Sequence, residues 1–548
     1  MKRIIIQNTT PLPPFYEPAR ELRILNKPLW LLQRDLLARH CKGAQEVHSL
    51  DEVPTEVDEE LLIHKDNLFF NARLIDTFIA EAQAHGQACQ IAFEKNDHTI
   101  NAHGLHLQEG IRLQKGFRLR RAGEDSPPDE PETPEELYVA DMYYYPPGQR
   151  QEPKLLVINT EPREMGYYSV PRYMAKQGDL VYQIPLRAIL SIESWVHLFL
   201  ANTVMGVFAY ASQAEHEMDR CSLRRFSKWK GEEWRLFFGK KLKLVLTALW
   251  ERVNPFEEPW RNHFLASKSM VKVGKNCSID PTAIIHGPTV IGDNVYIGPG
   301  VVITNSVIGS NVNIMQGSQV MLSVVSDGSF MAFKSALFMS SMMENCMIAQ
   351  NTCVQLGVVG RNSFLGANSV FTDFNLSDKP EKQTIRTFHN GKLESTGLPV
   401  LGSAVGHNCK IGSGFVVYPG RAIGSNVTIT FSDREGLIHT DVPGRSPDDV
   451  DEDTGEPRRI FYRWPHLYEP ESDMDGLMPD TSYVPPSNHS HDHNPDHGYQ
   501  NHHDGGYPAE HNHAWNDRRE VEDRSRPGGV SRPVNSSSRQ PSSPEVLY

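Results

Sequence analysis

One carboxylate and two histidines stand where their side chains could do chemistry. Asp66 ends residues 60–66, a run that predicts a buried strand. A carboxylate at the C-terminal end of such a strand lies where α/β sheets bind ligands, and its oxygens suit a hard cation. His389 and His407 carry imidazoles, whose pKa near neutrality suits a base that deprotonates an amine or a hydroxyl. A lone histidine is more often structural, so both interpretations stay open for each of them.

The elements that must position these residues begin with a repeat in the second half of the chain. Aliphatic residues recur at every sixth position in two blocks. They are Val273, Ile279, Ile285, Ile291, Ile297 and Ile303, and then Val405, Ile411, Val417, Ile423 and Ile429. Neither a helix nor a half-buried strand has this period, whereas the hexapeptide repeat of a parallel β-helix does. We therefore predict a β-helical prism over residues 271–440, with three hexads to a coil and about seven coils.

The period breaks over residues 373–400, a polar segment that we call the excursion. It predicts a loop that leaves the prism. Loops carry function more often than repeat faces do, and His389 lies in this one. The period is also less regular between the two blocks, around the Met-rich stretch 338–343, and methionine fills irregular interior gaps.

The first part of the chain alternates predicted strands with predicted helices. Strands are indicated at 2–6, 60–66 and 90–93, and amphipathic helices after Pro28 and over 71–86. This alternation is typical of a parallel α/β sheet.

The predicted α/β domain comprises residues 1–121 and 154–192. Between its two parts, residues 122–153 are acidic and proline-rich in their first half, which predicts a surface loop.

Residues 193–270 are predicted to form a basic and aromatic helical connector. Its first segment, 194–214, has no formal charge and is long enough to span a bilayer, but polar residues within it favour a buried helix. The basic and aromatic residues of 219–250 leave three interpretations open: a connector that covers the end of the prism, contact with an anionic membrane surface, or a site for a phosphorylated ligand.

The amino-acid composition restricts the partners and the cellular compartment that we expect for the protein. A net charge of −13 argues against nucleic acid as a general partner. Seven cysteines without a CxxC pair suggest a reducing compartment, and the N-terminal segment 1–20 lacks the features of a signal peptide, so we predict a cytoplasmic protein.

Residues 441–470 are predicted to cap the prism, and the polar, His-rich residues 471–548 predict a disordered tail.

Two runs in the chain resemble known families. Asn26-Lys27-Pro28-Leu29 and residues 61–68 resemble landmarks of the sugar-1-phosphate nucleotidyltransferases. The prism, the excursion and residues 401–414 resemble, in the same order, the bifunctional N-acetylglucosamine-1-phosphate uridylyltransferases. This resemblance implies a nucleotidyltransferase-like α/β domain, a left-handed β-helix and a homotrimer.

The resemblance also implies roles for particular residues. Asp66 corresponds to a Mg²⁺ ligand, Lys27 becomes a candidate catalytic residue, and Arg20 and Arg23 become candidate phosphate contacts. In the prism, acetyl-CoA would serve as acyl donor, with His389 or His407 as the base.

The sequence departs from both family patterns. The nucleotidyltransferase loop is glycine-rich because its backbone approaches phosphates closely, but this chain has no glycine before Gly43, and Lys65 replaces the glycine before the acidic residue. No histidine occupies the coil before the excursion, where the bifunctional enzymes carry their base.

Three functions follow from these observations. The first is nucleotidyl transfer from a nucleoside triphosphate to a sugar-1-phosphate. The alternatives are acyl transfer to an amino sugar and a non-catalytic scaffold or sugar-nucleotide sensor at the membrane surface.

Overall fold

The computed structural model describes residues 1–119, 134–168, 180–210, 270–375, 384–430 and 437–444. The basic segment 219–250, all but the first four residues of the predicted cap 441–470, and the predicted tail 471–548 lie outside the described residues.

A mixed sheet forms the centre of the N-terminal domain. Its strands are β1 (Lys2–Ile6), β2 (Ala44–Val47), β3 (Leu61–Lys65), β4 (Cys89–Phe93), β5 (Ile111–Gly116), β6 (Glu135–Tyr145) and β7 (Lys154–Val157). They lie in the order β7-β4-β6-β3-β1-β2, and β5 pairs with β6 at one end. Strand β1 is parallel to β2 and β3, and β4 is parallel to β7. Strand β6 runs antiparallel between β3 and β4. The α/β domain is therefore confirmed, but its sheet is mixed where we expected a parallel one.

Strand β6 corrects the prediction that residues 122–153 form a loop. The acidic, proline-rich composition ends before Leu137, and the run from there to Tyr145 is mostly apolar and aromatic and almost entirely buried. Such a run suits a strand that is covered on both faces of a sheet.

In the described part of the chain, three α-helices accompany the sheet: α1 (Leu29–Leu37), α2 (Ala72–His85) and α3 (Trp195–Asn202). The side chain of Asn71 accepts a hydrogen bond from the Leu74 N–H and caps α2. Gly86 ends α2 in the left-handed conformation (φ 61°), as its position in the sequence predicts.

Short pairs of strands complete the domain. They are Pro11–Leu12 with Glu17–Pro18, Arg23–Ile24 with Lys27–Pro28, Glu56–Val57 with Gly148–Gln149, Leu68–Phe70 with Ile189–Ser191, and Pro162–Tyr168 with Leu180–Pro185.

Helix α3 is buried along its whole length and continues as a π-helix over Thr203–Phe208. This confirms the buried helix predicted for the charge-free segment, as far as residue 210. Among the described residues, no helix combines the length and the apolar character that crossing a bilayer requires.

Over residues 270–375, 384–430 and 437–444, three parallel sheets of eight described strands each form the prism. Sheet I contains Val271–Val273, Thr289–Ile291, Val307–Ile308, Val324–Val325, Ser341–Met342, Val358–Val359, Ala404–Val405 and Ala422–Ile423. Sheet II contains Ser278–Ile279, Tyr296–Ile297, Asn313–Ile314, Phe330–Met331, Met347–Ile348, Phe364–Leu365, Lys410–Ile411 and Thr428–Ile429. Sheet III contains Ile284–His286, Val302–Thr304, Gln319–Met321, Ala336–Phe338, Cys353–Gln355, Val370–Phe371, Val416–Val417 and Leu437–Ile438. The arrangement is that of a left-handed parallel β-helix, as predicted.

The central coils are slightly shorter than three hexads. Tyr296 pairs with Asn313, and Asn313 pairs with Phe330, so partners on successive coils are separated by 17 in the sequence. The shortened step follows sheet III, where the corner residues Asn305, Leu322, Met339 and Leu356 all have positive φ, from 45° to 50°. This step explains why the six-residue period is lost between the two regular blocks. The shorter coils also give eight strands to a sheet where we expected about seven coils.

The described residues of the excursion pack against the α/β domain, a contact that the sequence did not predict. Its hairpin, Arg386–His389 with Lys392–Ser395, contacts α3, where the indole N–H of Trp195 donates to Thr387 Oγ1 at 3.1 Å. Leu398 and Val400 are buried in the same core as α3. The excursion therefore connects the prism to the α/β domain.

Two adjacent residues on one strand allow the inward-facing and outward-facing positions of the prism to be compared. Ile411 is 0% exposed and Lys410, its neighbour, is exposed. We expect Ile411→Ala to lower the free energy of unfolding by about 2–5 kcal/mol, because it removes buried methyl groups and leaves a cavity. The matched control Lys410→Ala should change it by about 0.5 kcal/mol or less. Denaturant unfolding measures both, and equal effects would contradict the assigned faces.

Candidate ligand site and domain junction

The C-terminal ends of β1 and β3 meet at one edge of the central sheet, and Asp66 lies there. Its backbone N–H donates to the Ile6 carbonyl at 3.0 Å, which ties the ends of the two strands together. Its Oδ1 accepts a hydrogen bond from the Asn8 N–H at 2.8 Å, and its Oδ2 lies 3.4 Å from Arg20 Nη1. The structure therefore places Asp66 where the sequence predicts it and brings Arg20 to it.

The Asp66 carboxylate is 1% exposed. Burial raises its pKa to about 6, against the opposing effects of the Asn8 N–H and the Arg20 guanidinium. Arg20 also contacts Glu46 Oε1 at 2.8 Å, and Glu46 is 43% exposed. We call Asn8, Arg20, Glu46 and Asp66 the edge site.

A magnesium ion does not fit the described residues of the edge site. The oxygens of Asp66 already face one N–H donor and one guanidinium, so the Arg20 cation occupies the side from which a metal would bind. Within the described ranges, no group of three or more His, Cys, Asp or Glu side chains could hold a metal ion. Hard cations need several oxygen ligands together, and this edge supplies a cationic side chain in their place.

Lys27 lies away from the edge site. Its Nζ is 3.0 Å from Asp35 Oδ2 on α1, and the residue is buried. The Lys27 ammonium thus pairs with a residue of the helix that follows it. None of its described contacts joins Lys27 to Asp66, and its role as a catalytic residue stays a prediction.

Arg23 belongs to a buried ionic cluster between the α/β domain and the prism. Its Nη1 is 3.3 Å from Asp327 Oδ2, and its Nε is 2.9 Å from Glu344 Oε2. Arg361 of the prism contacts Glu17 at 2.6 and 2.8 Å through two nitrogens and Glu344 Oε1 at 3.0 Å through a third. All five side chains are 1–2% exposed. We call them the junction cluster, and Arg23 within it cannot reach a ligand at the edge site.

The prism contributes to the junction cluster from one of its corners. Residues at this corner follow one another at a sequence separation of 17 before the excursion and 18 after it, with a longer interval at the excursion itself. They are Asp293, Ser310, Asp327, Glu344, Arg361, His407 and Ser425. All but Asp293 are buried. Sequence reasoning missed Glu17, Asp327, Glu344 and Arg361, although this row of charged residues was a signal that could have located the junction.

His407 occupies the same corner, and its surroundings do not suit a base. Its Nδ1 accepts the Arg361 backbone N–H at 2.9 Å, its ring lies 5.1 Å from that of Phe15, and the residue is 1% exposed. Burial and the neighbouring Arg361 lower the pKa of His407. The buried position favours the structural interpretation of His407, and its role as a base stays a prediction.

Glu17 is held ionised in the junction cluster. Burial alone would raise its pKa, but Arg361 and His407 hold it below the usual value for a glutamate. Glu17 lies in the segment between β1 and α1. In this chain it binds the prism.

His389 lies at the tip of the hairpin in the excursion. Its Nε2 is 3.2 Å from Asn390 Nδ2, and the tight turn after it has positive φ at Asn390 (47°) and Gly391 (78°). The ring is partly exposed, so the structure leaves it open to a proton acceptor or donor from solvent. Its role as a base stays a prediction.

Comparison with known proteins is consistent with the prism. The family described as bacterial transferase hexapeptide (six repeats) matches residues 270–305. A bifunctional protein GlmU of Synechococcus elongatus is 28% identical over 181 residues, which cover 32% of this chain and 37% of that protein. A bifunctional protein GlmU of Ruthia magnifica is 42% identical over 55 residues, or 10% of this chain and 12% of that protein.

Solved structures give a weaker likeness. A putative acetyltransferase of Bacillus cereus is 16% identical with a TM-score of 0.13, over 23% of this chain and 83% of that one. A mutant GDP-perosamine N-acetyl transferase of Caulobacter crescentus, in complex with CoA and GDP-perosamine, is 16% identical with a TM-score of 0.14, over 29% of this chain and 50% of that one. At these TM-scores neither likeness supports a statement about this chain.

The sequence match covers no more than 37% of the length of these curated relatives. The predicted resemblance is nevertheless confirmed: the chain carries the transferase hexapeptide repeat, and part of it is similar to bifunctional GlmU proteins.

Proposed function

We propose that the protein acts in amino-sugar or sugar-nucleotide metabolism and that its α/β domain binds a phosphorylated sugar or nucleotide at the edge site. The observation that carries this proposal is the Arg20 guanidinium at the C-terminal ends of β1 and β3, where it is 14% exposed. Ligands of α/β sheets bind at this edge, and arginine matches the geometry of a phosphate group. The similarity to GlmU proteins supports the choice of ligand class.

A phosphate would compete with the present partners of Arg20. Glu46 is the partner most easily displaced, because it is 43% exposed and exposed ion pairs contribute little stability. Asp66 is buried and fixed by the Asn8 N–H. The ligand would therefore take the outer side of the guanidinium, while Asp66 holds its inner side.

Nucleotidyl transfer is the finer expectation that the resemblance implies. Its metal chemistry would neutralise charge on the transferred phosphoryl group. Since the described residues of the edge site do not fit Mg²⁺, our proposal is ligand binding that does not depend on the metal. This proposal assigns the α/β domain a non-catalytic role, which was one of the functions considered from the sequence.

Acyl transfer to an amino sugar is a second candidate for the prism. The observation that favours it is the partly exposed imidazole of His389 on the excursion. A base that takes a proton from an amine must be within hydrogen-bond reach of it, which His389 allows and the buried His407 does not. Acetyl-CoA would be the donor in such a reaction.

Assembly into a homotrimer through the prism is also proposed. The outer face of sheet II presents Tyr296, Met347 and Phe364, which are 38%, 40% and 36% exposed. A run of apolar side chains of this kind on an exposed face marks an interaction surface. Cytoplasmic location and contact with an anionic membrane stay predictions.

Loss of the Arg20 cation tests the proposed ligand site. We expect wild-type protein to bind uridine triphosphate, a nucleotide sugar or a sugar-1-phosphate in a calorimetric titration, with the same affinity in EDTA as in Mg²⁺. Arg20→Ala should weaken that binding at least tenfold, because the phosphate loses its charged partner. Arg73→Ala on the exposed side of α2 is the matched control and should bind like the wild type. Mg²⁺-dependent release of pyrophosphate that disappears in Asp66→Asn would contradict the proposal.

The raised pKa of Asp66 predicts how its contribution to stability depends on pH. Between pH 6 and pH 4 the folded protein holds a proton on Asp66 that the unfolded chain releases, so folding is favoured as the pH falls through this window. Asp66→Asn removes this dependence. The difference in unfolding free energy between wild type and variant should therefore change by up to about 3 kcal/mol between pH 7.5 and pH 4.

Asp141→Asn is the control for this measurement. Burial would raise the pKa of Asp141, but its ionic contacts with Arg112 and Lys65 outweigh burial and lower it. The stabilisation that the ionised Asp141 carboxylate provides is lost only below the usual pKa range of aspartate. The difference in unfolding free energy between Asp141→Asn and wild type should therefore stay constant from pH 7.5 to pH 4.5. Parallel pH profiles for Asp66→Asn and Asp141→Asn in urea unfolding would show that the Asp66 pKa is not raised.

A further inference from the structure

The segment from Asn8 to Arg20 contacts Asp66 at both of its ends. The Asn8 N–H donates to Asp66 Oδ1 at 2.8 Å, and Arg20 Nη1 lies 3.4 Å from Asp66 Oδ2. Whatever fixes the middle of this segment therefore also fixes the geometry of the edge site.

Hydrogen bonds attach the middle of the segment to the prism and to the residues that follow it. Ser425 approaches the Pro14 carbonyl with its hydroxyl at 2.8 Å and with its backbone N–H at 3.1 Å. The Tyr16 hydroxyl accepts a hydrogen bond from the Gly444 N–H at 3.4 Å. These bonds join parts of the chain that are very distant in sequence, the first 411 and the second 428 positions apart.

An ion pair and a ring contact complete the attachment. Glu17 meets Arg361 through both carboxylate oxygens, across 344 residues of sequence. Phe15 packs against the His407 ring. A bidentate pair between buried charges has a narrow geometry, and breaking one partner leaves the other uncompensated.

We propose that the prism positions the ligand site of the α/β domain, with Glu17 and Arg361 as the positioning residues. Their pair holds the segment 8–20 in the one conformation that sets Arg20 beside Asp66. The ligand then binds a guanidinium that is already in place. The conformational entropy of residues 8–20 is lost when the protein folds, so ligand binding does not have to overcome it. The identity of the ligand rests on the proposed function, whereas the contacts that fix residues 8–20 are independent of it.

Hydrogen–deuterium exchange of full-length protein tests the positioning directly. In Glu17→Gln we expect the amides of residues 8–20 to exchange at least tenfold faster than in wild type, while those of β4, far along the sheet, keep their rates. Glu17→Asp retains the charge and should recover most of the protection. The matched control Glu136→Gln removes an exposed carboxylate that pairs with Lys95, and it should leave residues 8–20 unchanged.

Binding of uridine triphosphate, measured on the same proteins, separates the two proposals. We expect Glu17→Gln to weaken it five- to tenfold and Glu136→Gln to leave it unchanged. If the wild type binds none of the phosphorylated probes, the proposed function fails while the exchange result still decides the positioning. If Glu17→Gln and wild type exchange equally over residues 8–20, the positioning proposal is overturned.

A milder variant covers the case in which Glu17→Gln does not fold. Ser425→Ala removes the hydroxyl that contacts the Pro14 and Phe15 carbonyls and leaves every charge in place. It should speed exchange of residues 8–20 about threefold. Where Glu17→Gln does not fold, unchanged exchange in Ser425→Ala would overturn the proposal.

Discussion

Arg361 lies between two buried carboxylates, Glu17 of the α/β domain and Glu344 of its own prism. The side chains of all three are 1–2% exposed, so their charges interact with little screening by water. A buried ion pair of this kind is a weak source of net stability, but the loss of one partner typically costs about 3–5 kcal/mol because a charge is left unpaired. The contact therefore specifies how the two parts of the chain meet, and the edge site depends on that arrangement.

The prism makes this contact possible because parallel coils place residues one coil apart directly above one another. Asp327, Glu344 and Arg361 stand at the same corner of successive coils. Together with Arg23 and Glu17 of the α/β domain, they bring two arginines into contact with three acids. Their alignment requires a constant coil length, and the shortened step after sheet III recurs in each coil of this region and keeps that length constant. The apolar interior thus fixes the distance between successive coils, and this distance brings the charged residues at the corner into contact.

The sequence predicted those features that depend on nearby residues. The six-residue period located the prism, the amphipathic pattern of residues 71–86 located α2, and Asp66 stands at the end of β3. The shortened coils were not predicted, because a five-residue step removes the period by which a repeat is recognised. Strand β6 was not predicted either, since an acidic stretch immediately precedes it and composition does not mark the residue at which a loop ends.

The roles of Arg23 and His407 could not be predicted from their neighbours in sequence. Both are residue types that serve chemistry, but their partners lie hundreds of positions away, and only the folded chain shows that these partners are buried with them. Lys27 differs, because its partner Asp35 is eight residues away on the following helix. The prediction for Lys27 followed the family resemblance and overlooked this nearby acidic partner.

A double-mutant cycle on Glu17 and Arg361 tests most directly whether the α/β domain and the prism form one unit through the junction cluster. Free energies of unfolding would be measured for wild type, Glu17→Gln, Arg361→Met and the double variant. The structure predicts a coupling energy of at least about 1.5 kcal/mol, because each single change leaves the other charge buried alone. Additive effects, within about 0.5 kcal/mol, would show that the two side chains do not interact and would contradict the account.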